Sequence, residues 1–381
     1  MENLTHSLLG AALAELALPS AATPAQRRVF FVAGVVAANL PDADLLYTSI
    51  TPPPLGYLLH HRGHTHTVAG LVVQALFVGM VLMLPPIRRH VQALRARLAA
   101  LVGLALLAHL VLDSWNSYGV HPFWPVDASW FYGDAIFILE PWLWVLLGVA
   151  ATLNARNRGA RAVLGVVLAS LAVGLAWLGM MPVMALAALL ATAGILGLFA
   201  SRWSPPQRSA TALAAVALFV AAMFALREHV RATAIASAAP SGSERVLDVV
   251  LNPNPGNPLC WNALAITADE RAGEWMTTRG TVSVGAGGCG AGRQSRVVWD
   301  GPLRQSLGPL RDLVRRDCSV RAWMQFGRAP ALGDGAISDL RFSETSRDNF
   351  SEMSIATGEN ASPCPQYLTR WGMPRADLLG P

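Results

Sequence analysis

The sequence predicts an all-α polytopic membrane bundle followed by a soluble, mainly β C-terminal domain. Three observations carry that prediction. Of the 381 residues, 53% are hydrophobic and 14% charged, whereas ordinary globular domains carry roughly a quarter charged residues. Apolar runs long enough, or nearly so, to cross a bilayer core lie at 29–46, 67–86, 99–113, 136–153, 162–179, 183–200 and 209–226. With a shorter run at 4–18 they make about eight transmembrane segments. Beyond residue 240 the runs stop, and all four cysteines follow that point. The expected organisation is a transmembrane domain over 1–235, a linker over 236–245 and a β domain over 246–381.

The first segment, "MENLTHSLLGAALAELAL", has no basic leader and carries Glu2, His6 and Glu15. It is therefore expected to be retained as a short first helix and not removed as a signal peptide. The arginines orient the segments that follow. The chain has no Lys, and residues 1–239 hold 14 Arg against 9 Asp and Glu, so the pI near 9.4 comes from the membrane half. One set of alternate loops contains 11 of these arginines, from Arg27 and Arg28 through Arg88, Arg89, Arg95 and Arg97 to Arg202 and Arg208; the opposite set contains only Arg62. Basic loops stay cytoplasmic, which places the N-terminus and the C-terminal domain on the periplasmic side of a bacterial inner membrane. The charge is a topology signal, and no nucleic-acid partner is expected; the partner is the lipid bilayer.

In the C-terminal part, "RVLDVVL" and "RGTVSVG" show strand-like alternation. "SVRAWMQFGRAP" is expected as a further strand, ended by Pro330. "GAGGCGAGR" lacks the G-K-[ST] ending of a phosphate loop and reads as a turn. Cys260, Cys289, Cys318 and Cys364 in an exported domain imply two disulfides with three pairings open. No C-x-x-C pair is present, which disfavours structural zinc.

With topology assigned, the polar residues of the bundle sort by depth. "NLPDAD" ends the second segment and places Asp42 and Asp44 at its outer end, where Pro41 disfavours continued helix through Leu40. "LLHHRGHTHTVAG" puts His60, His61, His64 and His66 at the mouth of the third. His109 and Asp113 end the fourth, four residues apart and so on one helix face. Together with His6, these groups come from four separate segments to one level, whereas the last three helices carry no Asp, Glu or His within their spans. Ionisable groups in membrane helices are costly and mark function by default. His6, Asp42, Asp44, His61, His66, His109 and Asp113 supply the imidazole and carboxylate donors of a zinc, manganese or iron site, and in number they allow two ions. The plainer alternatives are a hydrogen-bonding His6, turn-forming Asp42 and Asp44, and solvated His60 and His64. His121, Asp127, Asp134 and Glu140 read as loop residues, and Trp115, Trp124, Trp130, Trp142 and Trp144 as an interfacial aromatic belt.

"LTHSLLG", "NLPDADLL", "HRGHTHT" and "HLVLDSWNSYG" stand in the order seen in the YdjM-like bacterial inner-membrane proteins, described as predicted membrane-bound metal-dependent hydrolases. The resemblance covers about residues 1–150. It implies roles for His6, Asp42, Asp44, His61, Arg62, His66, His109 and Asp113. Thr67 stands where the family usually has Ser, which keeps a hydroxyl, and His64 is an addition of this chain.

The combined expectation is a metal-dependent hydrolase opening at the outer membrane–water interface, acting on a lipid or envelope ester or phosphoester. His6, Asp42, His61, His66, His109 and Asp113 would hold a divalent metal, with zinc first and manganese or iron as alternatives. Asp44 would bridge or act as a general base, and Arg62 would neutralise developing negative charge. A proton- or metal-coupled transporter using the same relay, and a non-enzymatic envelope scaffold, are the competing classes.

Overall fold

A computed structural model describes residues 1–238, 244–285, 287–289, 296–343, 349–355 and 370–380. Each of the eight apolar runs carries a helix. The helices are α1 (Asn3–Ala17), α2 (Pro24–Asn39), α3 (Leu55–His60), α4 (Val68–Leu82), α5 (Pro85–Val91), α6 (Arg95–Asp113), α7 (Pro141–Asn154), α8 (Arg158–Trp177), α9 (Val183–Ala200) and α10 (Pro205–Ser237). Of these, α3 and α5 are short additions inside loops. Five helical stretches are long and apolar enough to cross a membrane, or six if the pair Leu55–His66 and Val68–Leu82, bent by 68°, is one span. Local chemistry sets several starts. Thr23 and Gln26 form a reciprocal capping box ahead of α2, Ser204 and Gln207 do the same ahead of α10, and proline opens both helices. Thr67, the hydroxyl in "HRGHTHT", caps α4 by accepting from Gly70 N.

Two of these features position the site. The α-helix stops at Asn39 before Pro41, and the chain continues as a 3₁₀ segment, Leu40–Ile50, that turns Asp42 and Asp44 inward. Helices α1 and α2 pack backbone to backbone, because a Cβ on Gly10 would lie 2.4 Å from Gly34 O and one on Gly34 2.5 Å from Gly10 O. That approach brings the His6 end of α1 against the Asp42 end of α2. Gly34→Ala is expected to force the pair apart and cost about 1–3 kcal/mol, read as a lower thermal midpoint of the detergent-purified protein.

The C-terminal part forms two antiparallel sheets. In the first, β1 (Arg245–Asn254), β2 (Asn257–Asp269), β3 (Glu274–Ser283) and β4 (Val297–Trp299) follow chain order, and β5 (Leu303–Ser306) also pairs with β3. The second holds β6 (Pro330–Gly333), β7 (Ala336–Asp339) and β8 (Met353–Ser354). Between them run α11 (Leu307–Arg316) and α12 (Cys318–Trp323). The expected strand over "SVRAWMQFGRAP" is therefore corrected. Its first half is α12, started by Asp317, whose carboxylate accepts from Ser319 N and Val320 N. Pro330 opens β6 instead of ending a strand, which an edge position allows because no ladder donor is needed there.

Cys260 and Cys289 are joined, and Cys318 is also disulfide-bonded; Cys364 lies outside the described residues. The described residues of "GAGGCGAGR" are bend and turn. Of the stretch 236–245, Ser237 still ends α10 and Arg245 already opens β1, while 239–243 lie outside the described residues.

The two parts share buried cores. One joins Leu8, Ile136 and Leu143 to Val249, Leu251 and Trp261; another joins Leu55, Leu58, Leu59 and Tyr118 to Trp323, Phe326 and Trp371. The loop between α6 and α7 is the docking platform. Arg328 donates both Nη groups to the Asp134 carboxylate at 2.8 and 2.7 Å and its Nε to Asp248 at 2.8 Å. Arg341 reaches Ser117 O at 2.8 Å. Of the five tryptophans expected at the interface, three hydrogen-bond protein: Trp130 to Gln325 O, Trp142 to Gly256 O and Trp144 to Glu2. The β1–β2 turn at Gly256, with φ of 67°, sits against Met181. His121 is buried against the Trp371 ring at 3.7 Å, and burial pushes its imidazole down to about 3, so it stays neutral there.

Candidate metal centre

Four segments that are distant in sequence meet at one end of the bundle, beside the docked domain. Asp42 Oδ1, His66 Nε2, His109 Nε2 and Asp113 Oδ2 form a compact group. The two imidazole nitrogens are 3.0 Å apart; His66 lies 3.5 Å from Asp42 and 3.1 Å from Asp113, and His109 lies 3.6 and 3.5 Å from the same two. Ligand atoms around a tetrahedral zinc are roughly 3.3 Å apart at bond lengths of about 2.0–2.1 Å, so the group is the right size for a first-row divalent ion. His66, His109 and Asp113 are fully buried and Asp42 is 10% exposed.

The second nitrogen of each ring explains why the first faces inward. His109 Nδ1 lies 2.7 Å from Ala38 O, an acceptor only, so Nδ1 carries the hydrogen and Nε2 offers its lone pair. His66 Nδ1 is 3.0 Å from Thr65 Oγ1, whose own hydrogen goes to Asp44 Oδ2, and 3.2 Å from that carboxylate oxygen, so it is held in the same sense. Two such lone pairs 3.0 Å apart call for a cation between them. An acceptor behind each imidazole is the outer shell that metal-binding histidines use to fix tautomer and ring angle. Donor set, spacing and tautomers therefore all suit a metal.

The other expected residues fall into two kinds. His6 stacks on the His109 ring at 3.8 Å, and its Nε2 is 3.4 Å from Asp113 Oδ1. Both its ring nitrogens are buried without a hydrogen-bond partner, which leaves it available as a further donor. Asp44, in contrast, is fully engaged. Its carboxylate takes His61 Nδ1 at 3.0 Å, Arg62 N at 2.8 Å, Thr65 Oγ1 at 2.8 Å and His66 Nδ1. A second group of Asp42, Asp44 and His61 has donor atoms within 4.8 Å of one another. Arg62 is clamped on Asp113, with Nη2 to Oδ1 at 3.1 Å and Nε 3.1 Å from Oδ2, and Nη1 reaches Asn116 Oδ1 at 3.0 Å. Its φ of 57° is a left-handed conformation uncommon outside glycine, and it aims the Arg62 N–H at Asp44. The Met1 amino group also meets Asp113.

His60 bonds Thr51 Oγ1 at 2.8 Å, and His64 lies against Trp124 and Trp371. Neither joins the cluster, but both are packed where solvated loop residues were expected. Thr65, Asn116 and the Ala38 carbonyl were not anticipated. Thr65 and Asn116 lie inside the quoted "HRGHTHT" and "DSWNSYG", whereas nothing in the sequence marks a particular carbonyl.

Fold and site together define a multi-helix membrane protein with a buried His/Asp centre that could bind a metal, covered by a docked antiparallel-sheet domain. Residues 1–184 match the YdjM inner membrane protein family. An uncharacterized protein, YfhP, of Bacillus subtilis (strain 168) is 24% identical over 148 residues, which are 38% of this chain and 43% of that protein. The match thus spans less than half of that relative. No solved structure matches at a significant level.

Proposed function

We propose that the chain is a membrane-bound, metal-dependent hydrolase whose site lies at the periplasmic end of the bundle and acts on an ester or phosphoester of a lipid or envelope component. One observation carries the proposal: two imidazoles with outward nitrogens pinned and inward nitrogens 3.0 Å apart, facing two carboxylates. Asp42, His66, His109 and Asp113 would hold the ion, with His6 as the neighbouring donor. A bound divalent ion polarises a substrate oxygen and lowers the pKa of its water.

The remaining residues position and transfer. Asp44, with four donors on it, orients His66 and His61, so in this reading it is an orienting carboxylate in place of the bridging ligand or general base expected from sequence. Arg62 holds Asp113 in place instead of contacting an anion directly. His61 has Nδ1 on Asp44, is 12% exposed, and stacks on Tyr57 at 4.9 Å. It stands beside the buried centre and also belongs to the second donor group with Asp42 and Asp44. Against the transporter reading, α8 and α9 contain no Asp, Glu or His with which to continue a relay.

Elemental analysis of the detergent-purified chain tests the proposal. About one equivalent of transition metal is expected in the native protein, falling at least tenfold in His109→Ala with the fold retained by circular dichroism. Native protein free of metal after purification and reconstitution, or unchanged content in His109→Ala, would overturn it.

A further inference from the structure

We propose that the groove between α4 and α6, remote from the His/Asp centre, binds an anionic phospholipid. The groove is a cavity of about 320 Å³. One wall is the face of α4 that carries Val72, Leu76, Gly79 and Leu82, at helical spacing over about 15 Å of helix. Its floor includes Leu98 and Val102, each 3% exposed. Helix α6 belongs to a stretch able to cross a membrane, and α4 to the bent pair that makes a sixth if it is one span; an open apolar furrow between them suits acyl chains.

The charge at one end selects among lipids. Arg88 and Arg95 line the groove there and are exposed. Neither has a carboxylate partner among the described residues, whereas Arg27, in the other half of this basic end, is paired with Glu15 at 3.5 Å. Two unpaired guanidiniums closing an apolar furrow match a phosphate-bearing head group above an acyl chain, and guanidinium forks suit phosphate oxygens. Gly79 gives the furrow its depth: a Cβ there would meet no atom within 4 Å, so a larger side chain can fill the space without disturbing the helices.

Full-length protein in a neutral detergent, titrated with phosphatidylglycerol or phosphatidylcholine and read by native mass spectrometry, tests this. Phosphatidylglycerol is expected to bind more tightly. The double variant Arg88→Gln/Arg95→Gln should weaken it roughly thirtyfold, which corresponds to about 1 kcal/mol per arginine, with phosphatidylcholine little changed. Arg89→Gln/Arg97→Gln removes the same charge outside the groove and should cost less than about threefold. Gly79→Leu should weaken both lipids while leaving the thermal midpoint and bound metal intact. Equal binding of the two lipids by the native chain, equal loss in the two arginine pairs, or a second copy of the chain cross-linked through the groove would overturn the assignment.

Discussion

Asp113→Ala is expected to empty the centre of metal and, separately, to destabilise the bundle by about 3–5 kcal/mol. The two losses have different origins. Metal is lost because Oδ2 is one of the four converging donors. Stability is lost because Arg62, 1% exposed, has its guanidinium on that carboxylate and would be left as a buried charge without a counter-ion. The double variant Asp113→Ala/Arg62→Met removes both charges and should recover much of the stability without recovering metal. Metal content and denaturation midpoint measured on the same samples separate the effects. Parallel recovery of both, or no stability loss in the single variant, would show that the pair does not act as described.

The second large effect lies at the docking platform. Arg328→Ala leaves Asp134, 1% exposed, without its bidentate partner, while Arg231 and Arg375 remain 3.5 and 3.6 Å from Asp248. A cost of about 3–5 kcal/mol follows, concentrated on the contact between sheet domain and helices, so protease sensitivity should rise in the C-terminal part first. Adding Asp134→Asn should restore part of the loss. The same network predicts acid sensitivity. Burial opposes ionisation of Asp248, but the Arg328 guanidinium overrides it and holds the carboxyl well below the usual carboxylate range. Its contribution is present in full above the ordinary carboxylate pKa of about 3.9 and is lost as pH falls below that value. Release of the domain is therefore expected in strong acid and not near neutrality; release between pH 5 and 7 would point to a different group.

Legibility in the sequence followed the physics of each signal. Apolar runs are decided by local composition, and all eight became helices. The ligand candidates His6, Asp42, His61, His66, His109 and Asp113 came from the scarcity of ionisable groups in this half and from the resemblance; the structure brings four of them, Asp42, His66, His109 and Asp113, into one group. Their division of labour was not legible. That Asp44 orients and Arg62 clamps depends on hydrogen bonds among residues 17 to 54 positions apart, which no spacing rule encodes. The α12 helix was missed because its six residues are too few to show a helical period, and the signal that mattered was the single Asp317 cap. The tryptophans carry a related ambiguity. Hydropathy marks an interface but does not say whether lipid or another part of the same chain lies across it.

The hydrogen bond from Trp371 Nε1 to Leu59 O, at 2.9 Å, joins residues 312 positions apart. Its consequence concerns the order of events during biosynthesis. Helices α1 to α6 and the Asp44 and Asp113 contacts to the histidine loop are all encoded in the first part of the chain, but this outer anchor comes from the last tryptophan to be synthesised. Until that indole arrives, the loop lacks this outer anchor, and a chain stalled before residue 371 would hold its histidines from the bundle side alone.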